Sequence, residues 1–180
     1  MDRTLIALLF VAPLVLMAMA CSGESSPTPT SSPTHGVAVT VDFPAEVPQG
    51  SEFAAGLSIV GVEGLASFQV DVSYDPLVLE VVGGEGSDEG VAGGVVGSTS
   101  FSTNWAFVPL GVQGKLRIIG RSPGVEAATG DGMLAEVTFR AIGTPGEGSD
   151  VVLSEGMLVD SSGHEIADVV WQIASVELTE

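Results

Sequence analysis

Basic side chains are scarce in this sequence. Its 180 residues hold five Lys and Arg against 23 Asp and Glu, a formal charge of −18. Binding phosphate takes Lys and Arg, so this balance argues against nucleic acid and against adhesion to an anionic membrane surface. Net charge of this size speaks to solubility and association rather than to fold. Cysteine occurs once, at Cys21, so no intrachain disulfide can form. Aromatic residues are only 6%, and no long stretch carries the 3.6-residue apolar spacing of a helix. The two histidines are His35 and His164, and no His-Glu-x-x-His pair is present. Ser161, Ser162 and His164 lie too close along the chain to be read as a triad. Without an assembled nucleophile and base, no catalysis and no cofactor are expected.

What is present begins with an address. Residues 4–20 read TLIALLFVAPLVLMAMA, an apolar run after Arg3 and directly before Cys21. This is the layout of a signal peptide over residues 1–20. The stretch is near the lower length limit of a spanning helix, so an uncleaved anchor is the alternative. Ala18-Met19-Ala20-Cys21 resembles the bacterial lipobox, with Ala18 where that motif has Leu. The resemblance implies lipidation of Cys21 and cleavage before it. Each buried CH₂ of an acyl chain contributes about 0.8 kcal/mol, so several chains at one terminus anchor stably. Residues 21–36 then run CSGESSPTPTSSPTHG, rich in Ser, Thr and Pro, too poor in apolar residues to form a core and stiffened by proline. They read as the lipidated cysteine and a disordered stalk, with His35 solvated within it. The localisation expected is the outer face of the cell envelope.

From Val37 to the end the period is two. Val37, Val39, Val41 and Phe43 share a face; so do Phe53, Ala55, Leu57 and Ile59; so do Phe68, Val70, Val72 and Tyr74. Further strands are expected at 77–82, 98–108, 113–121, 133–142, 151–153, 157–159 and 165–178. In the last, Val169, Trp171 and Ile173 share one parity while Val176 and Leu178 take the other, which reads as a β-bulge. Twenty-four glycines and the turns Tyr-Asp-Pro, Gly-Asp-Gly, Thr-Pro-Gly and Ser-Ser-Gly-His separate the runs. The expectation is an all-β domain over 37–180, a β-sandwich of jelly-roll topology with about nine strands.

Three segments carry a resemblance. VEGLASFQVDVSYDPLVLEVV (62–82) is similar to the cohesin pair of strands joined at Tyr-Asp-Pro, VPQGSEFAAGLSIVGVEGL (47–65) to the cohesin opening, and GDGMLAEVTFRAIG (130–143) to its Gly-x-Gly and Leu-Ala-x-Val-x-Phe strand. Cohesins bind dockerins, small Ca²⁺-loaded helical modules, through one flat sheet, and the resemblance implies a non-catalytic protein-binding module of polysaccharide catabolism. The outward positions of the strand before Tyr-Asp-Pro are Gln69 and Asp71, which the resemblance implies as partner contacts. Both are expected to point to solvent opposite Phe68, Val70 and Val72. The chain carries one such unit and no dockerin or catalytic segment.

Other readings stay beside it. A carbohydrate-binding module shares the architecture, with a polysaccharide as its partner, and so does a generic surface adhesion domain; fold does not decide among them. Phe101, Trp105 and Phe107 share a parity that makes them core if inward and a sugar-stacking strip if outward, and apolar parity favours inward. Trp171 is read as core or rim. Glu85, Asp88 and Glu89 sit in the glycine-rich GGEGSDEGVAGG, but their spacing fits no calcium loop, so a mobile solvated loop and no metal are expected. Asp131 and the pair Asp75-Pro76 are read as turn formers.

Overall fold

The computed structural model describes residues 36–124 and 126–180, and these contain strands and turns without a helix. The signal-like run 1–20, Cys21 and stalk residues 22–35 lie outside the described residues. Thirteen strand segments follow in chain order: β1 (Ala38–Asp42), β2 (Glu46–Pro48), β3 (Glu52–Ser73), β4 (Leu79–Val81), β5 (Val91–Gly93), β6 (Val95–Val96), β7 (Thr99–Ser100), β8 (Ser102–Phe107), β9 (Lys115–Arg121), β10 (Ala128–Ala141), β11 (Gly148–Asp160), β12 (Val170–Trp171) and β13 (Ala174–Thr179). Together they form a β-sandwich of jelly-roll type. The excess over nine comes from short segments such as β2, β5, β6 and β7, too brief to show a period in sequence.

Strand β3 organises both layers. The sequence suggested two strands here, 51–60 and 65–74, but the backbone ladder is continuous over 22 residues. Laid straight it would measure about 73 Å, whereas a compact domain of this size is roughly 40 Å across. It must bend. Gly61 and Gly64 supply the bend with φ of 73° and 72°, values that residues bearing a Cβ rarely adopt. β10 holds the bend from alongside: the Gly61 N–H donates to Asp131 Oδ1 at 2.8 Å and the Gly64 N–H to Thr129 Oγ1 at 3.1 Å. The first half of β3 pairs antiparallel with β1 and β10, and the second half with β9 and β11. β8 adds to β9, giving an outer sheet ordered β8-β9-β3-β11. β4, β5 and β6 line the far edge of β10.

The core lies between the layers and follows the period-two reading. Ala55, Leu57, Ile59, Phe68, Val70, Val72, Leu116 and Ile118 are all buried. Tyr74 closes the second half of β3 with its ring edge-on to Phe139, centroids 5.1 Å apart. Asp75 then turns the chain: its Oδ1 accepts from the Leu77 N–H at 2.9 Å, and its carbonyl accepts from Val78 and Leu79. This is the turn-forming role expected of Asp75-Pro76.

Two expectations need correction. The segments 151–153 and 157–159 are one strand, β11, interrupted by a bulge at Glu155-Gly156, where the register against β3 shifts and Glu155 takes φ of 49°. Trp171 lies over that bulge: a Cβ on Gly156 would come within 2.2 Å of its indole. Trp171 is therefore a half-buried rim residue. The phase change at 165–178 is not a bulge within one strand. β12 pairs with β1, the pairing lapses at Gln172-Ile173, and β13 pairs with β11 and β2. A change of partner strand frees the inward parity to change.

Packing is tight where the outer sheet meets the core. Gly120 of β9 lies beneath the Phe68 ring, and a Cβ there would approach Phe68 to 2.0 Å. Gly120→Ala is expected to cost about 1–3 kcal/mol by overpacking and to lower the Tm by several degrees. Gly124→Ala, in an open turn, is the control and stays within about 0.5 kcal/mol. Equal melting of the two variants in calorimetry would contradict this packing.

Candidate partner-binding face

The outward surface of the β8-β9-β3-β11 sheet is set by register. Trp105 and Phe107 stand opposite Ile118 and Leu116 and face the core, so Asn104 and Ala106 face out opposite Ile119 and Arg117. On β3 the outward set is Ser67, Gln69, Asp71 and Ser73, paired on β9 with Arg121, Ile119, Arg117 and Lys115. On the other side Gln69 meets Met157 of β11 and Asp71 meets Ser154.

Gln69 is half-buried at the middle of this face, between Ile119 and Met157, which are 51% and 41% exposed. Among the described residues no hydrogen bond occupies its amide. Asp71 behaves differently. It takes the outward side, as alternation requires, but it is 0% exposed. Arg117 folds across it, donating from Nε to Oδ1 at 2.6 Å and from Nη2 to Oδ2 at 2.9 Å, and Lys115 Nζ lies 2.8 Å from Oδ2. Burial pushes the Asp71 carboxyl up, but the hydrogen bonds and charges of Arg117 and Lys115 outweigh it and hold the group below the usual 3.8. The expectation that Asp71 stands free in solvent is thus corrected: two long cationic side chains from the neighbouring strand reach over it. Its carboxylate is engaged within the sheet, and the groups turned outward above it are the cations.

The sequence reading missed Ile119, Met157 and Arg117. A signal was available in Ile118-Ile119, because two adjacent apolar residues on a strand cannot both face the core. At one end of the face, Asn104, Ala106, Pro109, Leu110, Arg117 and Ile119 surround an apolar concavity of about 330 Å³. Leu110, at its rim, is 76% exposed.

The glycine-rich loop is not a free solvated segment. Glu85 Oε1 accepts from the backbone N–H of Phe107 at 2.7 Å and of Gly111 at 3.2 Å, and Trp105 Nε1 donates to the Ser87 carbonyl at 2.9 Å. Gly90 lies against the Trp105 ring so closely that a Cβ would approach it to 2.4 Å. The loop covers Trp105, which is 3% exposed, and Phe101 and Phe107 are buried with it. None of the three presents a ring to a sugar. Asp88 and Glu89 lie exposed in the same loop, and among the described residues no three His, Cys, Asp or Glu side chains are gathered as metal ligands. Ser161, Ser162 and His164 form a turn in which Asp160 Oδ1 accepts from the backbone N–H groups of Ser162 and His164.

Asp71→Asn removes the charge that orders Arg117 and Lys115. A hydrogen bond to a charged group contributes about 1.5–3 kcal/mol; with both cations about one-third exposed, a loss of about 1–2 kcal/mol is expected at pH 7. Because the folded pKa is lowered, the contribution is complete above 3.8 and is lost as pH falls through the folded value. The stability gap between Asp71→Asn and the native chain should therefore close on acidification below 3.8. Denaturant titrations at neutral and acid pH measure it; a gap that is zero at pH 7, or that widens in acid, contradicts the ion-pair geometry.

The cohesin domain family model matches residues 37–177. No curated relative matches in sequence. Among solved structures, a non-cellulosomal cohesin from the archaeon Archaeoglobus fulgidus aligns with TM-score 0.61 at 21% identity, covering 81% of this chain and 93% of that one. A type II cohesin from a cohesin–X-dockerin complex of Acetivibrio cellulolyticus aligns with TM-score 0.63 at 18% identity, covering 79% and 99%. A type III cohesin from a cell-surface anchoring scaffoldin of Ruminococcus flavefaciens gives 0.58 at 10% identity, covering 81% and 88%. At such identities the structures speak for the fold alone, but the family model spans nearly the whole described sandwich, and by that match the chain belongs to the cohesin family.

Proposed function

We propose that this chain is a non-catalytic binding module of the cell surface, tethering a dockerin-type partner through the outward face of β8-β9-β3-β11. The observation that carries this reading is Ile119 and Met157, exposed on either side of Gln69 on neighbouring paired strands. Exposed apolar side chains amid polar neighbours on a rigid surface are the make-up of a partner contact. The type II relative of known structure forms a complex with an X-dockerin, which supports a partner of that class. Burial of Trp105 removes the main support for a sugar-stacking alternative. Gln69 contributes an unengaged amide at the centre of the face. Asp71 acts indirectly, by holding Arg117 and Lys115 in place.

Ile119→Asp combined with Gln69→Ala is the test, read by calorimetric titration against a panel of dockerin modules that includes the Acetivibrio cellulolyticus X-dockerin. Both positions lie on the solvent side of the sheet, so the Tm should hold within a few degrees. Binding should fall at least tenfold, which corresponds to about 1.4 kcal/mol. Full binding by the double variant would remove this face as the docking surface.

The anchoring half of the proposal rests on Cys21. A sole cysteine after a signal-like apolar run, followed by a proline-stiffened stalk, fits a lipidated tether that holds the sandwich away from the membrane. Cys21→Ser should move the protein from the membrane fraction to the soluble fraction, or leave an uncleaved precursor visible by mass spectrometry. Unchanged partitioning and processing would overturn the anchor.

A further inference from the structure

Trp171 lies off the outer sheet, and an irregularity in a neighbouring strand places its ring. β12 is two residues long and pairs in parallel with β1, with Trp171 beside Val39. The bulge of β11 sets Gly156 against the indole, where a Cβ would come within 2.2 Å. Only a residue without a side chain leaves room for the ring at that point. Gly156 and the buried Leu158 alternate with the exposed Met157, so the ring takes the other side of β11 from the outer face.

The chain then folds back along the same strand. Glu165 bridges to Val159, the Ile166 N–H donates to the Leu158 carbonyl at 2.8 Å, and Asp168 leads into β12 with φ of 58°. Residues 165–169 and Trp171 thereby enclose, with Gly156 and Leu158, a recess of about 230 Å³. Ile166 and Val169 pack against the core and give it apolar walls. Glu165 and Asp168 line it as exposed carboxylates, and among the described residues neither has a hydrogen bond or an ion pair. Among the described residues no Lys, Arg or His lines the recess. The Trp171 indole N–H is also without a partner there, whereas that of Trp105 donates to the Ser87 carbonyl. Trp171 is half-buried, so part of the indole stays accessible.

We propose that this recess receives an arginine side chain of another polypeptide, its guanidinium stacked on the Trp171 indole and forked onto Glu165 or Asp168. An aromatic face is the negative end of the ring quadrupole, and tryptophan attracts cations most strongly. Both carboxylates act in the same sense, and a chain of formal charge −18 concentrates cations at its surface. All three repel an anion. A guanidinium is favoured over an ammonium because it is planar, weakly hydrated and able to stack, and its fork matches a carboxylate. Size points the same way. Pockets for whole small molecules start at about 300 Å³, so a recess of about 230 Å³ suits one side-chain head. The site is separate from the outer sheet and stands whether or not that sheet is the docking surface.

The chain has two tryptophans, so the ¹⁵N-labelled full chain gives two indole N–H signals, and buried Trp105 is the internal control. The probe is acetyl-Gly-Arg-Gly-amide, with a twin carrying citrulline, which keeps the shape of arginine and removes the charge. The arginine peptide should move the Trp171 signal and the amides of 165–171 saturably at millimolar concentration, leaving Trp105 unmoved. The citrulline twin should bind at least about fivefold more weakly, and salt should narrow the difference. Glu165→Gln combined with Asp168→Asn should weaken the arginine peptide at least about fivefold. The Tm should hold within a few degrees, because both positions are exposed and Asn tolerates the positive φ of Asp168 as Asp does. Equal binding of the two peptides, or a preference that survives the carboxamide variant, would overturn the proposal. A larger movement of Trp171 with cellobiose than with the arginine peptide would assign the recess to a neutral sugar and overturn it too. Shifts elsewhere, or none at millimolar peptide, would remove the site.

Discussion

The bend of β3 at Gly61 and Gly64 is the constraint on which the remainder of the molecule hangs. One strand supplies a pairing edge to β1 and β10 in one layer and to β9 and β11 in the other. The two layers are thereby fixed relative to each other by covalent continuity as well as by side-chain packing. Moving the bend by one residue would reverse the facing of every side chain beyond it. Phe68, Val70 and Val72 would turn to solvent, and Gln69 and Asp71 to the core. Asp131 and Thr129, reaching from β10 to the two glycine N–H groups, hold the bend where the hydrophobic pattern needs it.

On the outer face, a buried anion organises exposed cations. Asp71 is fully covered, and the cationic heads of Arg117 and Lys115 sit on its carboxylate. Long side chains on an open sheet otherwise sample many rotamers, and ordering them costs conformational entropy. Here that cost is met during folding, so the face is presented pre-ordered to whatever binds. On the proposed reading of this face, removing Asp71 would act on binding through the disposition of its neighbours, and its effects on stability and recognition would be linked.

The glycine-rich segment 83–94 shows how a sequence with the composition of a disordered loop becomes ordered. Gly90, Gly93 and Gly94 each sit where a Cβ would collide, against Trp105, Phe101 and Met133 respectively. The glycines are there because the backbone runs directly over an aromatic ring or a neighbouring strand. Glu85 completes the closure by accepting two backbone N–H groups, from Phe107 at the end of β8 and from Gly111 in the turn that follows. A single arrangement thus buries Trp105, satisfies its indole N–H, and shapes the wall beside the apolar hollow.

Local alternation, turn chemistry and contiguous motifs are enough to establish the all-β class, the inward faces of β1 and β3, the turn at Asp75-Pro76 and the family. The inward burial of Trp105 followed from the same parity, which also placed Gln69 and Asp71 on the outward side of β3. Tertiary structure alone decided what that side looks like. Asp71 disappears beneath Arg117 and Lys115, 46 and 44 positions further along the chain, because strand pairing brings β9 beside β3. Ile119 and Met157 join Gln69 for the same reason. The fusion of two expected strands into β3, the break between β12 and β13, and the ordering of the glycine-rich loop were likewise set by partner strands. Alternation records which side a residue takes; only pairing determines what stands beside it.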